Sequence, residues 1–238
     1  MNDKKWFGLA AIAMVVAFTA NVTFAQVNGN GKVVKEERQL SGFKSISVKT
    51  AINLQLSQGT EEKVTVETDE NLLPFLKTEV KDGELKIFLK GSINNSSALN
   101  VYVTVKQLKA LETSSAARVE TKGKIETPEL EISSSSGSAV QMEVACDDLK
   151  IRASSGSATS LSGSAKNLSV ESSSGSALSS KELKAEKGEL DASSGAVMVV
   201  NVTKEVRARA SSGAQISVSG NPASRDSDSS SGGSVSFK

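Results

Sequence analysis

The sequence predicts an all-β protein: a parallel β-helix of about 19 residues per coil, with a strand- and hairpin-rich N-terminal half. Three observations predict it. A serine signature recurs as Ser135-Ser136-Gly137, Ser154-Ser155-Gly156, Ser173-Ser174-Gly175, Ser193-Ser194-Gly195, Ser211-Ser212-Gly213 and Ser230-Ser231-Gly232, with Ser114-Ser115-Ala116 as a seventh copy ending in Ala. The third residues of these triplets stand 21, 19, 19, 20, 18 and 19 positions apart, and a steady period without cofactor residues marks stacked coils. Serine and aromatic usage also divides the chain. Residues 1–110 hold 7 Ser and residues 111–238 hold 33, while no aromatic stands between Tyr102 and Phe237.

The elements follow in chain order. Lys4 and Lys5 precede an apolar run from Trp6 to Ala20, and Val22-Thr23-Phe24-Ala25 ends in a small residue. Residues 1–25 therefore read as a secretory signal peptide cleaved after Ala25, the alternative being an uncleaved anchor. The apolar run falls short of the roughly 20 residues that a spanning helix needs, so no transmembrane segment is expected after cleavage. Residues 26–40 read as an N-terminal linker.

Residues 41–107 read as N-terminal strands. Lys63-Val64-Thr65-Val66-Glu67-Thr68 alternates with period two. Residues 69–76 carry a short helical turn. Residues 78–89 form a hairpin about Asp82-Gly83, since both residues tolerate the positive φ of a tight turn. A polar loop at 91–97 and a strand at 99–105 complete this part.

Residues 108–238 read as serine- and glycine-rich coils. Take the third residue of each triplet as position zero. Position minus five then holds Leu111, Ile132, Ile151, Val170, Leu190, Ala208 and Ser227, and position plus three holds Val119, Val140, Thr159, Leu178, Met198, Ile216 and Val235. Odd positions thus face inward, as period two requires. Position minus three is always small (Thr113, Ser134, Ala153, Ser172, Ala192, Ala210, Ser229), which predicts a narrow interior there. Even positions carry charges of alternating sign. In-register stacking places Glu131 by Lys150, Arg152 by Glu171, Arg207 between Glu189 and Asp226, and Arg209 between Asp191 and Asp228. Such pairs help to hold the register of low-complexity coils. Ala51, Ala116, Gly137, Gly156, Gly175, Gly195, Gly213 and Gly232 occupy a structural bend between two inward-facing strands. The serine columns beside it read as a hydrogen-bonded structural ladder. A leucine-rich solenoid lacks support, because no coil has its Leu-x-x-Leu-x-Leu pattern.

The same period reaches back to Phe43, Ile46, Val48, Ala51, Leu54 and Leu56, so Ala51-Ile52-Asn53-Leu54-Gln55-Leu56-Ser57-Gln58-Gly59 reads as the first coil. That segment resembles the motif of the "putative auto-transporter adhesin, head GIN domain" family, with Ala51 where the family name has Gly. Val64-Thr65-Val66-Glu67-Thr68, Asp69-Glu70-Asn71-Leu72-Leu73-Pro74, Gly83-Glu84-Leu85-Lys86-Ile87 and the Ser-Ser-Gly-Ser-Ala coils resemble it too, over roughly residues 40–236. The resemblance implies a right-handed parallel β-helix and a bacterial envelope setting: exported, and periplasmic, outer-membrane-associated or extracellular. Fold alone does not establish function.

Little chemistry is legible. The chain has no His, which excludes a Ser-His-Asp or Cys-His arrangement. With one Cys, Cys146, it has neither a disulfide nor the donors of a zinc site. No catalytic, cofactor-binding or metal residue is therefore assigned. Ser41-Gly42-Phe43-Lys44 matches Ser-x-x-Lys, a pattern that chance supplies in a chain with 40 Ser, and it is expected on a strand. Asp147-Asp148 reads as an exposed turn without basic partners, against a calcium site or a pectinase-like acid pair. A net charge of +1 with interleaved signs gives no argument for nucleic acid. The expected function is an exported envelope protein with a structural, adhesive or surface-binding role and no catalysis. The alternative is a polysaccharide-binding or pectate-lyase-like polysaccharide-active protein. Asp226, Asp228 and Phe237 mark a candidate contact end, because an uncapped last coil exposes unpaired backbone groups. It would serve self-association, or an envelope protein or glycan.

Overall fold

The computed structural model describes residues 27–238, and the expected signal peptide lies outside them. The segment expected as a linker contains β1 (Val27–Asn28) and β2 (Val33–Arg38). β3 (Ser45–Val48) and β4 (Asn53–Gln58) flank Ala51 as the first coil. β5 (Lys63–Asp69), β6 (Leu76–Lys81), β7 (Glu84–Leu89), β8 (Ile93–Asn95) and β9 (Leu99–Val105) follow. β8 lies inside the expected polar loop, and Asp82-Gly83 joins β6 to β7 with both φ angles positive.

The coils begin with β10 (Ala110–Thr113), β11 (Arg118–Glu126) and β12 (Glu129–Ser134). β13 (Ala139–Ala153), β14 (Ala158–Ser172), β15 (Ala177–Ala192) and β16 (Val197–Ala210) each run 14–16 residues, from one serine bend to the next. β17 (Gln215–Ser219), β18 (Ser224–Ser229) and β19 (Ser234–Phe237) form the last turns.

Each full coil has a first wall before the Ser-Ser-Gly bend, a second wall after it and a third wall leading to the next coil. The first wall stacks as β6-β7-β3-β10-β12-β13-β14-β15-β16-β18. The second stacks as β2-β5-β9-β4-β11-β13-β14-β15-β16-β17-β19. Coil neighbours are parallel and in the expected register: Glu131 opposes Lys150, Lys150 opposes Ser169, Glu189 opposes Arg207 and Arg207 opposes Asp226.

One apolar core runs from Phe43 to Val218, crossing from the N-terminal strands into the coils. Inward columns such as Ile132, Ile151, Val170 and Leu190 are buried. The small minus-three column lies beside the bend, where the first and second walls converge. There buried Ser138, Ser157 and Ser176, one residue past the Gly, meet that column. Ser138 Oγ lies 2.9 Å from Thr113 Oγ1, Ser157 Oγ donates to the Ser134 carbonyl at 3.0 Å, and Ser172 and Ser176 hydroxyls lie 2.8 Å apart. Larger side chains would not fit, and each buried hydroxyl has a partner, which offsets its desolvation.

The two ends of the stack differ. At the N-terminal end β5 and β2 add antiparallel to the second wall and β6 adds antiparallel to the first. A 3-10 turn, Glu70–Leu72, carries the chain between them and buries Leu72. Buried Asp69 ties this cap together. Its carboxylate accepts from the Gly31 and Ser97 amides at 2.7 Å each and from Ser97 Oγ at 3.0 Å. At the other end, among the described residues, β18 pairs only with β16, and β19 only with β17.

Candidate functional site

The bend is a turn of two consecutive left-handed residues. Ser136 and Gly137 have φ of 50° and 69°, and the pairs at 155–156, 174–175, 194–195, 212–213 and 231–232 repeat this. Ala51 (54°) and Ala116 (61°) adopt the same region, each after a positive-φ Thr50 or Ser115. The sequence reading places the special conformation on the Gly alone, whereas the serine before it shares it. Ser and Ala carry the Cβ cost of that region, about 1–2 kcal/mol each, which Gly avoids, and the turn has the geometry of a hairpin turn with φ > 0 at both centres. A backbone ladder runs along the corner: the Gly137 amide donates to the Ser155 carbonyl (3.1 Å), Gly156 to Ser174 (3.1 Å) and Gly175 to Ser194 (3.0 Å). The backbone of the corner is thus tied coil to coil, while Ser136, Ser155 and Ser174 are exposed beside it.

The first and third walls are charged. Arg152 bridges Glu131 and Glu171, Arg207 meets Asp226 at 3.3 Å and Arg209 meets Asp191 at 3.6 Å. Glu131 thus pairs diagonally with Arg152, although Lys150 is its register neighbour. On the third wall Lys166 meets Asp147 at 2.7 Å and Lys204 meets Glu186 at 2.6 Å. Each exposed pair contributes about 0–1 kcal/mol, so their main effect is on register. Arg209→Glu would set four acids in a row in one column, with Glu171, Asp191 and Asp228. It is expected to lower the melting temperature by about 2–4 °C, the equivalent of ~1 kcal/mol. Lys122→Glu, at an exposed lysine outside these ion pairs, is expected to leave it within about 1 °C. Thermal unfolding of the two variants checks this, and equal shifts would contradict the register argument.

The second wall has a different surface. From the Gly137 coil onward its outward columns are Ala139, Ala158, Ala177, Val197, Gln215 and Ser234 at plus two, and Gln141, Ser160, Ser179, Val199, Ser217 and Ser236 at plus four, none of them charged. The preceding coil puts Arg118 and Glu120 in the same two columns, in register with Ala139 and Gln141. A shallow groove of about 730 Å³ runs over this wall from Asn53 and Tyr102, past Arg118 and Glu120, to Val197 and Val199. Val197 is 44% exposed, unusual for a large apolar side chain on this molecule. The groove's N-terminal border is polar. The Tyr102 hydroxyl donates to Glu67 Oε2 at 2.6 Å, Asn100 Nδ2 donates to the same oxygen at 2.9 Å, and Lys35 lies 3.3 Å from Oε1. The Tyr102 hydroxyl above all, with Asn100, holds the Glu67 carboxyl below its usual range against the opposing effect of burial. The absence of charge at plus two and plus four from the Gly137 coil onward is legible in the sequence.

The reactive-looking residues are each accounted for. Asp147 has a basic partner after all, Lys166, and Asp148 accepts from Asn167 Nδ2 at 2.8 Å. Ser41 and Lys44 lie in the loop before β3, not on a strand. Among the described residues no three His, Cys, Asp or Glu side chains come together as a metal site would require. Cys146 is half-buried, and burial, then Asp147 and Asp148, push its thiol up to about 11. Its alkylation at pH 8 is expected to be at least about tenfold slower than that of an ordinary thiol of pKa near 8.5, and to rise with pH. Timed labelling with iodoacetamide checks this.

The candidate contact end is open. All six residues of β18 are exposed, and Phe237 and Val235 are half-buried against the core. Arg225 lies over the Phe237 ring at 5.1 Å and donates to the Pro222 carbonyl and to Asn221.

These features define a β-solenoid with a backbone-laddered serine corner, two charged walls and a second wall whose outward columns are uncharged beyond Arg118 and Glu120. The chain belongs to the family described as "Putative auto-transporter adhesin, head GIN domain", whose sequence profile matches residues 42–222. Solved structures share the fold. A "putative adhesin" from Bacteroides fragilis NCTC 9343 superposes with a TM-score of 0.84 at 17% identity, covering 89% of this chain and 100% of its own. A "putative adhesin" from Parabacteroides merdae ATCC 43184 gives 0.71 at 18% identity over 90% of this chain and 99% of its own. A "putative lipid binding protein" from Parabacteroides distasonis ATCC 8503 gives 0.74 at 20% identity, over 90% and 99% of the two chains. A search of curated proteins found no match.

Proposed function

We propose that the chain is an exported, envelope-associated solenoid whose second wall, uncharged in its outward columns beyond Arg118 and Glu120, is an adhesive contact face and which performs no catalysis. The observation that carries this reading is the contrast between walls. From the Gly137 coil to the last coil two outward columns carry no charge, beside walls that carry alternating ion pairs. Burying a charge against a partner costs desolvation, and the centres of protein interfaces are depleted in charged residues. A flat face of Ala, Val, Ser and Gln meets neither cost and offers both apolar area and hydroxyl or amide groups. Export is supported by the Lys4-Lys5 start and apolar run, and by the family's adhesin description. Among the described residues no helix is long and apolar enough to cross a membrane.

The test is attachment. Beads coated with the purified chain are presented to immobilised envelope glycans and envelope vesicles, and the same chain is incubated with soluble polysaccharides. Retention of beads without release of reducing ends is the expected result. Polysaccharide cleavage would overturn the non-catalytic reading.

A further inference from the structure

We propose that the edge formed by β18 takes up an extended peptide segment bearing two basic side chains at alternate positions, as one more strand on the first wall. The proposal does not rest on the adhesive role of the second wall. Among the described residues β18 has a neighbour, β16, on one side only, so its other side presents a row of backbone N–H and C=O groups. What selects the occupant is the charge columns. Glu189, Arg207 and Asp226 form one column, and Asp191, Arg209 and Asp228 form the next. Both end on an acid at the open edge. Arg207 approaches Asp226 at 3.3 Å, and Arg209 leans toward Asp191 at 3.6 Å, away from Asp228.

The coil beneath shows the pattern that seats on these acids. Arg207-Ala208-Arg209 lies in register with Asp226-Ser227-Asp228, with the arginines outward and Ala208 buried. A strand laid on the far side of β18 with base, small residue, base would repeat that arrangement, and each aspartate would then lie between two cations. A second copy of this chain fits less well. Edge to edge it would bring Asp226 and Asp228 against their own counterparts. Edge to head it would meet β6, whose alternate residues Lys77, Glu79 and Lys81 do not give two adjacent bases. Arg225 is already engaged with Asn221, Pro222 and Phe237, so it does not neutralise the edge.

The experiment uses fluorescein-labelled Thr-Lys-Glu-Val-Arg-Ala-Arg-Ala-Ser-Ser, the sequence of residues 203–212, and the same peptide with both arginines replaced by glutamate. Anisotropy titration against the purified chain is expected to show saturable binding of the first peptide, about tenfold tighter than the second and weakened by salt. Asp226→Lys with Asp228→Lys is expected to reverse the preference, and Asp226→Asn with Asp228→Asn to abolish it with less risk to folding. Glu143→Lys with Glu182→Lys, exposed acids elsewhere, is expected to leave it unchanged. Equal binding of the two peptides, no saturable binding, or a preference insensitive to residues 226 and 228 would overturn the proposal. So would concentration-dependent dimerisation, seen by light scattering, that the basic peptide does not disturb.

Discussion

Gly163→Ala is expected to destabilise the protein by roughly 3 kcal/mol and to lower its melting temperature by about 6–12 °C. Gly163 has φ of 108° at the corner between the second and third walls, stacked on Val144 of the preceding coil. An added Cβ would run into the Val144 carbonyl oxygen and the backbone on either side of it, and a ladder of stacked strands cannot yield there. The informative comparison is Gly156→Ala. Gly156 also has positive φ, but a Cβ there meets nothing within 4 Å. Ala116 and Ala51 occupy equivalent positions naturally. Gly156→Ala is therefore expected to cost only about 1 kcal/mol. Thermal unfolding of the two variants decides, and equal losses would contradict the assignment of Gly163 to a close backbone approach.

The second large effect is expected at Asp69. Asp69→Ala leaves the Gly31 and Ser97 amides and the Ser97 hydroxyl without their acceptor in the N-terminal cap, a loss of roughly 3 kcal/mol. Burial pushes the Asp69 carboxyl up, but the bonds from Ser97 and Gly31 outweigh it and hold the group below its usual range. A carboxyl whose folded pKa is depressed contributes stability that is fully present above its unfolded value, about 3.9, and lost as pH falls through the lower folded value. The cap is therefore expected to loosen in acid below about pH 4. Hydrogen exchange of β1, β2 and β9 against pH reads this directly. An Asp69→Asn variant as stable as wild type at pH 7 would contradict it.

The coils were legible because their physics is periodic. One spacing near 19, one apolar parity and one corner residue type, repeated, leave a stack of in-register strands as the consistent arrangement. The hairpin at Asp82-Gly83 was legible for a local reason, its turn chemistry. The cap was not. Alternation in Lys63-Val64-Thr65-Val66 predicts a strand but not its partner, so antiparallel pairing of β2, β5 and β9 is a tertiary fact. Residues 26–40 read as a linker because Gly29, Gly31 and the charges of β2 hide a strand that is half-buried on one side only. Asp69 looked like the start of a helical turn, and only the fold brings Gly31 and Ser97 to it. Gly163 falls outside the serine signature, and no period marks it.

At the candidate site, the in-register charge neighbours followed from the columns, while the ion pairs themselves depend on side-chain reach. Glu131 pairs with Arg152, one residue pair away from Lys150. The uncharged stretch of the second wall, which begins after Arg118 and Glu120, is legible in the plus-two and plus-four columns.

The central claim is that the second wall, uncharged in its outward columns beyond Arg118 and Glu120, is the face that makes contact. Its most direct test is to place charge on it without disturbing the coils. Ala158→Glu with Ala177→Glu puts two exposed acids in the middle of the second wall, and Ser133→Glu with Ser169→Glu puts two on the first wall as a control. Both variants are first matched for melting temperature, then compared with wild type for bead attachment to envelope vesicles and glycans. The account predicts that the second-wall variant loses attachment by about tenfold or more while the first-wall variant keeps it. Equal attachment by the two variants would contradict the account.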